Sequence, residues 1–376
     1  MSEMADRRVV VAMSGGVDSS VAAALLVEQG YDVVGIMLRL WSEADHGIGS
    51  ANRCCALDAQ YDAERVAEAL GIPFYLVNIA SEFKQRVVDY FVSEYAIGRT
   101  PNPCVECNRQ IRFDLLLRRA LALEADYLAT GHYARIRHHN DRFQIWRGVD
   151  SRKDQSYVLH VLGQAQLAHV LLPLGAFSKT QVRNMARERA LPVADRKDSQ
   201  DLCFVSDGDY RRFLSERLSD TIHPGPIRDR AGRVLGEHHG LAHYTIGQRK
   251  GLNISGPEPL YVLALDVTEN ALMVGTADEL GQDVCMAHHM NWIAGEPPRG
   301  SFEATAKIRY KAHNALVTVT VLDDDTARIE FDRPQRDITP GQAIVLYQQD
   351  VMLGGGTISL PNRLNDGIES SGKKAR

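Results

Sequence analysis

Two groups of residues in this 376-residue chain have types and spacings suited to chemistry. The first is Met13-Ser14-Gly15-Gly16-Val17-Asp18-Ser19-Ser20. Adjacent glycines let the backbone turn sharply and come close to a ligand. The hydroxyls of Ser14, Ser19 and Ser20, with the N–H groups that open a following helix, make a nest for an anion. The Gly-Lys-Ser/Thr ending of a Walker loop is missing. Such a nest stabilises a leaving group that carries several negative charges as its bond breaks. Asp18 would repel phosphates if it stood alone, which points to a Mg²⁺ ligand. The plainer alternative is a tight strand-to-helix turn with Asp18 or Ser19 as its N-cap.

The second group is made of cysteines. Cys104-Val105-Glu106-Cys107 lies in a Pro-bounded segment, Arg99 to Asn108, read as a loop ahead of a helix, and Cys203 follows 96 residues after Cys107. A C-x-x-C pair suits a redox couple, half of a zinc site, or part of an iron–sulfur site. Spacing alone does not choose among these, and a buried structural thiol is the default for any single cysteine. Cys54, Cys55 and Cys285 are read as structural. Six cysteines are too few for a secreted disulfide framework of this length, which favours a reducing cytosol and a cytoplasmic protein.

Elements able to position these groups can be read from the hydrophobic pattern. Strand signals at 8–13, 31–38, 73–79 and 127–129 alternate with helix signals at 19–29, 57–70, 81–97 and 114–123. Gly30 and Gly71 are plausible helix stops. This alternation predicts βαβ units and a parallel sheet covered on both faces. After about residue 215 the texture changes to short alternating apolar runs with Gly and Pro, at 261–265, 316–322, 327–331 and 343–347. The expected architecture is an α/β, Rossmann-like parallel-sheet domain over 1–215, then two small mainly-β domains over 216–284 and 285–362, the second barrel-like. Residues 363–376 are read as a disordered tail.

Length agrees with two or three domains at about 150 residues each. With 44% apolar and 24% charged residues, the composition excludes a disordered or collagenous chain. No apolar run approaches the roughly 18 residues needed to span a bilayer, and residues 1–11 do not read as a signal peptide. The net charge of −5 argues mildly against a nucleic-acid partner. Local sums reverse that reading: 99–119 and 135–155 each carry net +3, and 177–197 carries net +4. These blocks flank the two chemical groups, where phosphate contacts belong.

Ser-Gly-Gly-x-Asp-Ser between a strand and a helix resembles the PP-loop of the N-type ATP pyrophosphatases, which cleave ATP between its α and β phosphates to adenylate a substrate oxygen. Further along stand Gly98-Arg99-Thr100-Pro101-Asn102-Pro103, Thr130-Gly131-His132-Tyr133-Ala134, Lys153-Asp154-Gln155-Ser156-Tyr157 and Cys203-Phe204. Together, from about residue 9 to residue 360, they resemble the bacterial tRNA-specific 2-thiouridylase family, which replaces the C2 oxygen of the wobble uridine with sulfur.

The resemblance implies roles by position. ATP is placed at Ala12, Met13, Ser14, Gly15, Gly16, Val17, Asp18 and Ser19, with Leu38 and Gly131 near the purine. Cys107 matches the nucleophilic cysteine, and Cys203 the one that carries a persulfide. Cys107 then releases the sulfur by forming a disulfide with Cys203, with Arg109, Arg112 and Lys197 as candidate sources of a thiolate-stabilising field. Asn102, Pro103 and Cys104 approach the target base. His132, Lys153, Asp154, Gln155, Arg309, Tyr310 and Gln342 touch the tRNA, and the turn at Arg249 and Lys250 is placed for backbone phosphate. The implied cofactors are ATP and Mg²⁺, and the implied partners are tRNA and a persulfide-donor protein or sulfide, with no membrane. One departure matters: the family's commoner pattern has Asp, with an acid–base role, where this chain has Cys104. Three cysteines then also suit a [4Fe–4S] cluster on Cys104, Cys107 and Cys203 with one open iron. At this level both sulfur routes stay open, as does another PP-loop adenylating ligase or amidotransferase.

Overall fold

A computed structural model of the chain describes residues 7–43, 57–197, 202–255, 258–336 and 338–360. Cys54, Cys55 and the expected tail lie outside the described residues. The first sheet is parallel, built from β1 (Arg8–Met13), β2 (Asp32–Arg39), β3 (Phe74–Asn78) and β4 (Tyr127–Ala129), with the short strand Val170–Leu171 at its edge. In space the order is β3-β2-β1-β4 and then the edge strand. Val9, Val10 and Val11 of β1 are at most 1% exposed, as a strand buried on both faces requires.

Helix α1 (Val17–Glu28) follows β1 and buries eight of its twelve residues, among them a run of small side chains from Val21 to Ala24. It ends where Gly30, at φ +86°, lets Tyr31 N–H reach the Leu26 carbonyl and Gly30 N–H the Val27 carbonyl, the double hydrogen bond of a Schellman stop. Helix α2 (Leu57–Leu70) closes the same way at Gly71.

Three differences from the sequence reading bear on the site. The loop expected around the C-x-x-C pair is helical: an α-helical turn Pro103–Cys107 runs on through π-helical Asn108–Leu116 into Leu117–Ala122. Pro103 occupies the first turn, where its missing N–H costs nothing, and the Asn102 side chain caps it by accepting from Cys104 N–H (3.1 Å) and Val105 N–H (3.3 Å). The second difference is a hairpin, Ala134–His139 and Arg142–Arg147, that leaves the α/β region and adds to the C-terminal sheet through Trp146 opposite Val351.

The third concerns separateness. Six antiparallel strands, Gln282–Trp292, Ser301–Lys307, Ala315–Val321, Thr326–Gln335, Ala343–Gln348 and Val351–Ser359, close on themselves because the first pairs with the last. This barrel shares a core with the α/β region: Val10, Phe113, Tyr157 and Ile145 pack in one cluster with Ala343, Val345, Tyr347 and Met352. The intervening unit is a four-stranded sheet of Gly225–Arg228, Val234–His238, Tyr261–Asp266 and Ala271–Gly275 with its own small core around Ile227, Val262 and Leu272. No helix among the described residues is long and apolar enough to cross a membrane.

A shared core predicts shared unfolding. Trp41 beside the α/β sheet and Trp292 in the barrel, each isolated as the sole tryptophan, are expected to lose native fluorescence at one urea concentration. Ile145→Ala at the seam should lower both midpoints together, by about 2–5 kcal/mol of stability.

Candidate active site

The exit of β1 and the exit of β4 lie side by side, and the helix after β1 starts there. In open α/β sheets this reversal of strand order, at the carboxyl ends of the strands, is where a crevice forms for ligands. Gly131 sits against the first turn of α1: a Cβ there would lie 2.8 Å from the Asp18 carbonyl carbon and 2.9 Å from Ser19 N. The loop between is tied internally. Ser14 N–H donates to Ser19 Oγ (3.1 Å), the hydroxyls of Ser14 and Ser19 lie 3.2 Å apart, and Ser19 and Ser20 hydroxyls donate to the Gly16 carbonyl at 3.2 and 2.9 Å. No side chain caps α1, so the plain N-cap reading of Asp18 or Ser19 does not hold.

Asp18 has two partners that sequence reasoning missed. Lys179 Nζ donates to both carboxylate oxygens at 2.8 Å, and Tyr133 Oη donates to Oδ1 at 2.7 Å. Lys179 opens the helix Lys179–Glu188, whose capping box of Ser178 and Gln181 fixes its first turn. The Ser178-Lys179-Thr180-Gln181 pattern was the available signal. Ala12 and Leu38, placed by resemblance near the purine, stand at the ends of β1 and β2 and pack on the same apolar cluster.

Cys107 is 7% exposed and belongs to an apolar cluster with Phe83, Phe91, Phe204 and Phe213, against which Cys203 packs. Leu38 touches this cluster too, so one side chain joins the apolar cluster of β1 to the cluster of the cysteine pair. Cys104 is exposed. The segment after Cys203 is pinned by Glu43, a further residue the sequence did not reveal. Its buried carboxylate accepts from Ser206 N–H (2.7 Å), Ser206 Oγ (2.9 Å) and Arg212 Nη2 (2.6 Å). Burial pushes the Glu43 carboxyl up, but the Arg212 and Ser206 hydrogen bonds outweigh it and hold the group below its ordinary range. Cys285 lies in a barrel strand at 0% exposure, its thiol pushed up to about 12 by burial.

The residues expected to meet RNA divide into those facing one junction and those consumed by the fold. Barrel residues strap the segment before Cys104: Thr100 N–H donates to the Pro340 carbonyl (3.0 Å), and Gln342 Nε2 donates to the carbonyls of Thr100 (2.8 Å) and Pro101 (3.2 Å). Arg309 reaches Thr339 Oγ1 at 3.0 Å. Burial, then the charges of Asp154 and Cys104, push the Tyr310 hydroxyl up to about 12. Asp154 is 4% exposed and accepts from Gly148 and Ser156 N–H, while Gln155 Oε1 accepts from Tyr133 N–H. Lys153 is half-buried, and Arg249 and Lys250 stand on a turn in the central unit.

His132 is 8% exposed, with Nδ1 2.8 Å from Thr130 Oγ1. Burial, helped by Arg112, pushes it down to about 3, so it is a neutral group at physiological pH. The basic block at 177–197 is largely spent inside the molecule: Arg187 pairs with Asp195, Arg189 with Glu28, Arg196 with Asp62, and Arg183 donates to two carbonyls.

Residues 7–207 match the tRNA methyl transferase HUP domain, 211–276 the tRNA methyl transferase PRC-barrel domain, and 282–358 the aminomethyltransferase beta-barrel domain. The tRNA-specific 2-thiouridylase MnmA of Magnetococcus marinus is 51% identical over 354 residues, covering 94% of this chain and 99% of that protein. The chain belongs to the tRNA-specific 2-thiouridylase family. Another member, from Symbiobacterium thermophilum, is 50% identical over 94% of this chain and 92% of its own length. A solved structure of the U34-tRNA thiolase NcsA from Methanococcus maripaludis with its [4Fe-4S] cluster aligns with 58% of this chain and 67% of its own at 20% identity and a TM-score of 0.34, a likeness that bears no weight here.

The buried histidine gives a pH prediction. Its folded value of about 3 lies below the ordinary 6.5, so the unfolded chain takes up a proton that the folded one refuses. The stabilisation is fully present above about pH 6.5 and is lost as pH falls toward about 3. Urea midpoints at pH 7 and pH 5 should therefore differ less in His132→Gln than in the unsubstituted protein.

Proposed function

We propose that this 2-thiouridylase family member is a tRNA-uridine 2-sulfurtransferase that uses ATP to activate the C2 oxygen of the wobble uridine and then installs sulfur there. The observation that carries this reading is a shared side chain: Leu38, near the end of β2, packs both on the apolar cluster of β1 and on the cluster that holds Cys107 and Cys203. An adenylated base and a sulfur carrier can meet across it.

The reaction runs in balanced steps. ATP lies with its phosphates on the Ser14–Ser19 nest, where the α1 N–H groups and the Lys179 ammonium stabilise the departing charge. The uridine C2 oxygen attacks the α-phosphorus, pyrophosphate leaves, and the N3 proton passes to a nearby base. Cys104, which is exposed, is available for that transfer in place of the more usual Asp. The terminal sulfur of a Cys203 persulfide attacks C2 and AMP leaves with the former C2 oxygen. The Cys107 thiolate then attacks Cys203 Sγ, which breaks the S–S bond, leaves sulfur on C2 and forms the Cys107–Cys203 disulfide. A thiol reductant resets the pair, and a persulfide-donor protein reloads Cys203.

Two implied inorganic groups do not fit the residues as arranged. A cluster needs three thiolates around one centre, yet among the described residues no three Cys, His, Asp or Glu side chains are grouped closely enough to hold a metal ion. The expected Mg²⁺ ligand, Asp18, already has both oxygens on Lys179. Neither group is therefore given a step.

The bases must be unstacked to reach such a site, and the hydrogen bonds of Thr100 with Gln342 and Pro340 tie the segment before Cys104 to the barrel. Cys203→Ser and Cys107→Ser are each expected to abolish 2-thiouridine in tRNA nucleosides read by mass spectrometry, whereas Cys285→Ser leaves it intact. Normal product from Cys203→Ser would refute the sulfur route. Lys179→Met, which strips the cation from the nest, should raise KM for ATP and lower kcat at least tenfold, as loss of one transition-state charge contact does.

A further inference from the structure

The hairpin 134–147 is amphipathic in an unusual sense. One face carries Ala134, Ile136 and Ile145 into the shared core. The register pairs Arg135 with Trp146, Arg137 with Gln144 and His139 with Arg142, so all six of these side chains share the other face. That face contributes three guanidiniums and an imidazole and no carboxylate. Among the described residues, carboxylates from neighbouring segments reach two of the cations: Asp350 lies 3.7 Å from Arg135, and Glu296 lies 2.8 Å from Arg142.

Arg137 differs from its neighbours. It is exposed and has no ion-pair partner among the described residues, and its guanidinium carbon lies 4.1 Å from the centre of the Trp146 ring. Arg135 approaches the same ring at 5.7 Å, and Trp146 Nε1 donates to Gln144 Oε1 at 3.0 Å. The indole is thus fixed, and a guanidinium lying against it has already lost much of its freedom before any partner arrives. Preorganised cations bind phosphate at lower entropic cost than mobile lysines.

Location adds the second argument. The hairpin springs from Tyr133, whose hydroxyl is on Asp18, and six residues of strand carry its tip roughly 20 Å outward. A nucleotide chain with its target base at Cys104 continues beyond it in both directions. The hairpin is also an edge of the eight-stranded sheet.

We propose that this outward face, centred on Arg137 against Trp146, grips the sugar–phosphate backbone of the tRNA at a distance from the modified base. The proposal rests on the tRNA reading above. It assigns the hairpin an affinity role with no part in the chemistry.

The test is binding of an unmodified tRNA transcript to the full chain at several salt concentrations, with thiolation measured in parallel. For Arg137→Ala, Kd should rise several-fold and the slope of log Kobs against log salt should fall by about one. Arg137→Glu should weaken binding further and raise KM for tRNA, with kcat much less affected. Trp146→Leu, which removes the stacking plane without changing charge, should weaken binding with little change of slope. An unchanged Kd for Arg137→Glu overturns the proposal even if turnover with a protein sulfur donor falls, since the face would then serve a protein. If the unsubstituted chain thiolates tRNA while the variants bind normally, the hairpin assignment alone has failed. If the unsubstituted chain neither binds nor thiolates tRNA, the functional reading has failed with it.

Discussion

Only a hydrogen fits where the exit of β4 crosses the first turn of α1, because a side chain at Gly131 would strike the backbone of Asp18 and Ser19. That backbone approach brings the two strand ends together beside the Ser14–Ser19 loop. It also aims Tyr133, two residues on, at Asp18, and from Tyr133 the chain turns directly into the hairpin. Lys179 completes the arrangement from a third element by neutralising Asp18. The Asp18 charge is thereby answered within the protein.

The barrel is part of the same device. Its loop 339–342 holds Thr100 and Pro101 through backbone carbonyls and N–H groups, and these residues immediately precede the Asn102 cap on which the helix of Cys104 and Cys107 begins. Tyr157 Oη donates to the Ala343 carbonyl, and Ser156 Oγ lies 3.0 Å from Tyr347 Oη, both inside the shared core. The position of Cys107 is therefore set from the barrel as well as from the sheet. On the far side, Glu43 and Arg212 hold the residues that follow Cys203. Two cysteines nearly a hundred residues apart are placed by two independent polar clamps and one apolar cluster.

Much of this was legible in the sequence, for physical reasons that differ by element. β1, β2 and α1 were readable because buried parallel strands are continuous apolar runs and a Gly stop follows the helix. The nest was readable because its glycines and serines are contiguous. The hairpin at 134–147 was not: its outward face is basic, so its alternation resembles a charged loop, and the turn at Asn140 and Asp141 uses positive φ without glycine. The helical start at Pro103 was missed because two prolines suggested a loop, whereas one of them opens the helix. The pairing of Lys179 with Asp18 and that of Glu43 with Ser206 could not be assigned, since the partners lie 161 and 163 residues apart in sequence. The net charge misled for a related reason, because pairing within the fold decides which cations face outward. Arg137 does so, whereas Arg187, Arg189 and Arg196 are paired internally.

The central claim is that the crevice activates the C2 oxygen by transferring AMP to it before sulfur arrives. The most direct measurement uses tRNA carrying ¹⁸O at C2 of the wobble uridine, with the isotope followed by mass spectrometry of the nucleotide products. One ¹⁸O is expected in the phosphoryl group of AMP for each 2-thiouridine formed, with unlabelled pyrophosphate. Thiolation accompanied by unlabelled AMP, or by ADP and phosphate, would contradict it.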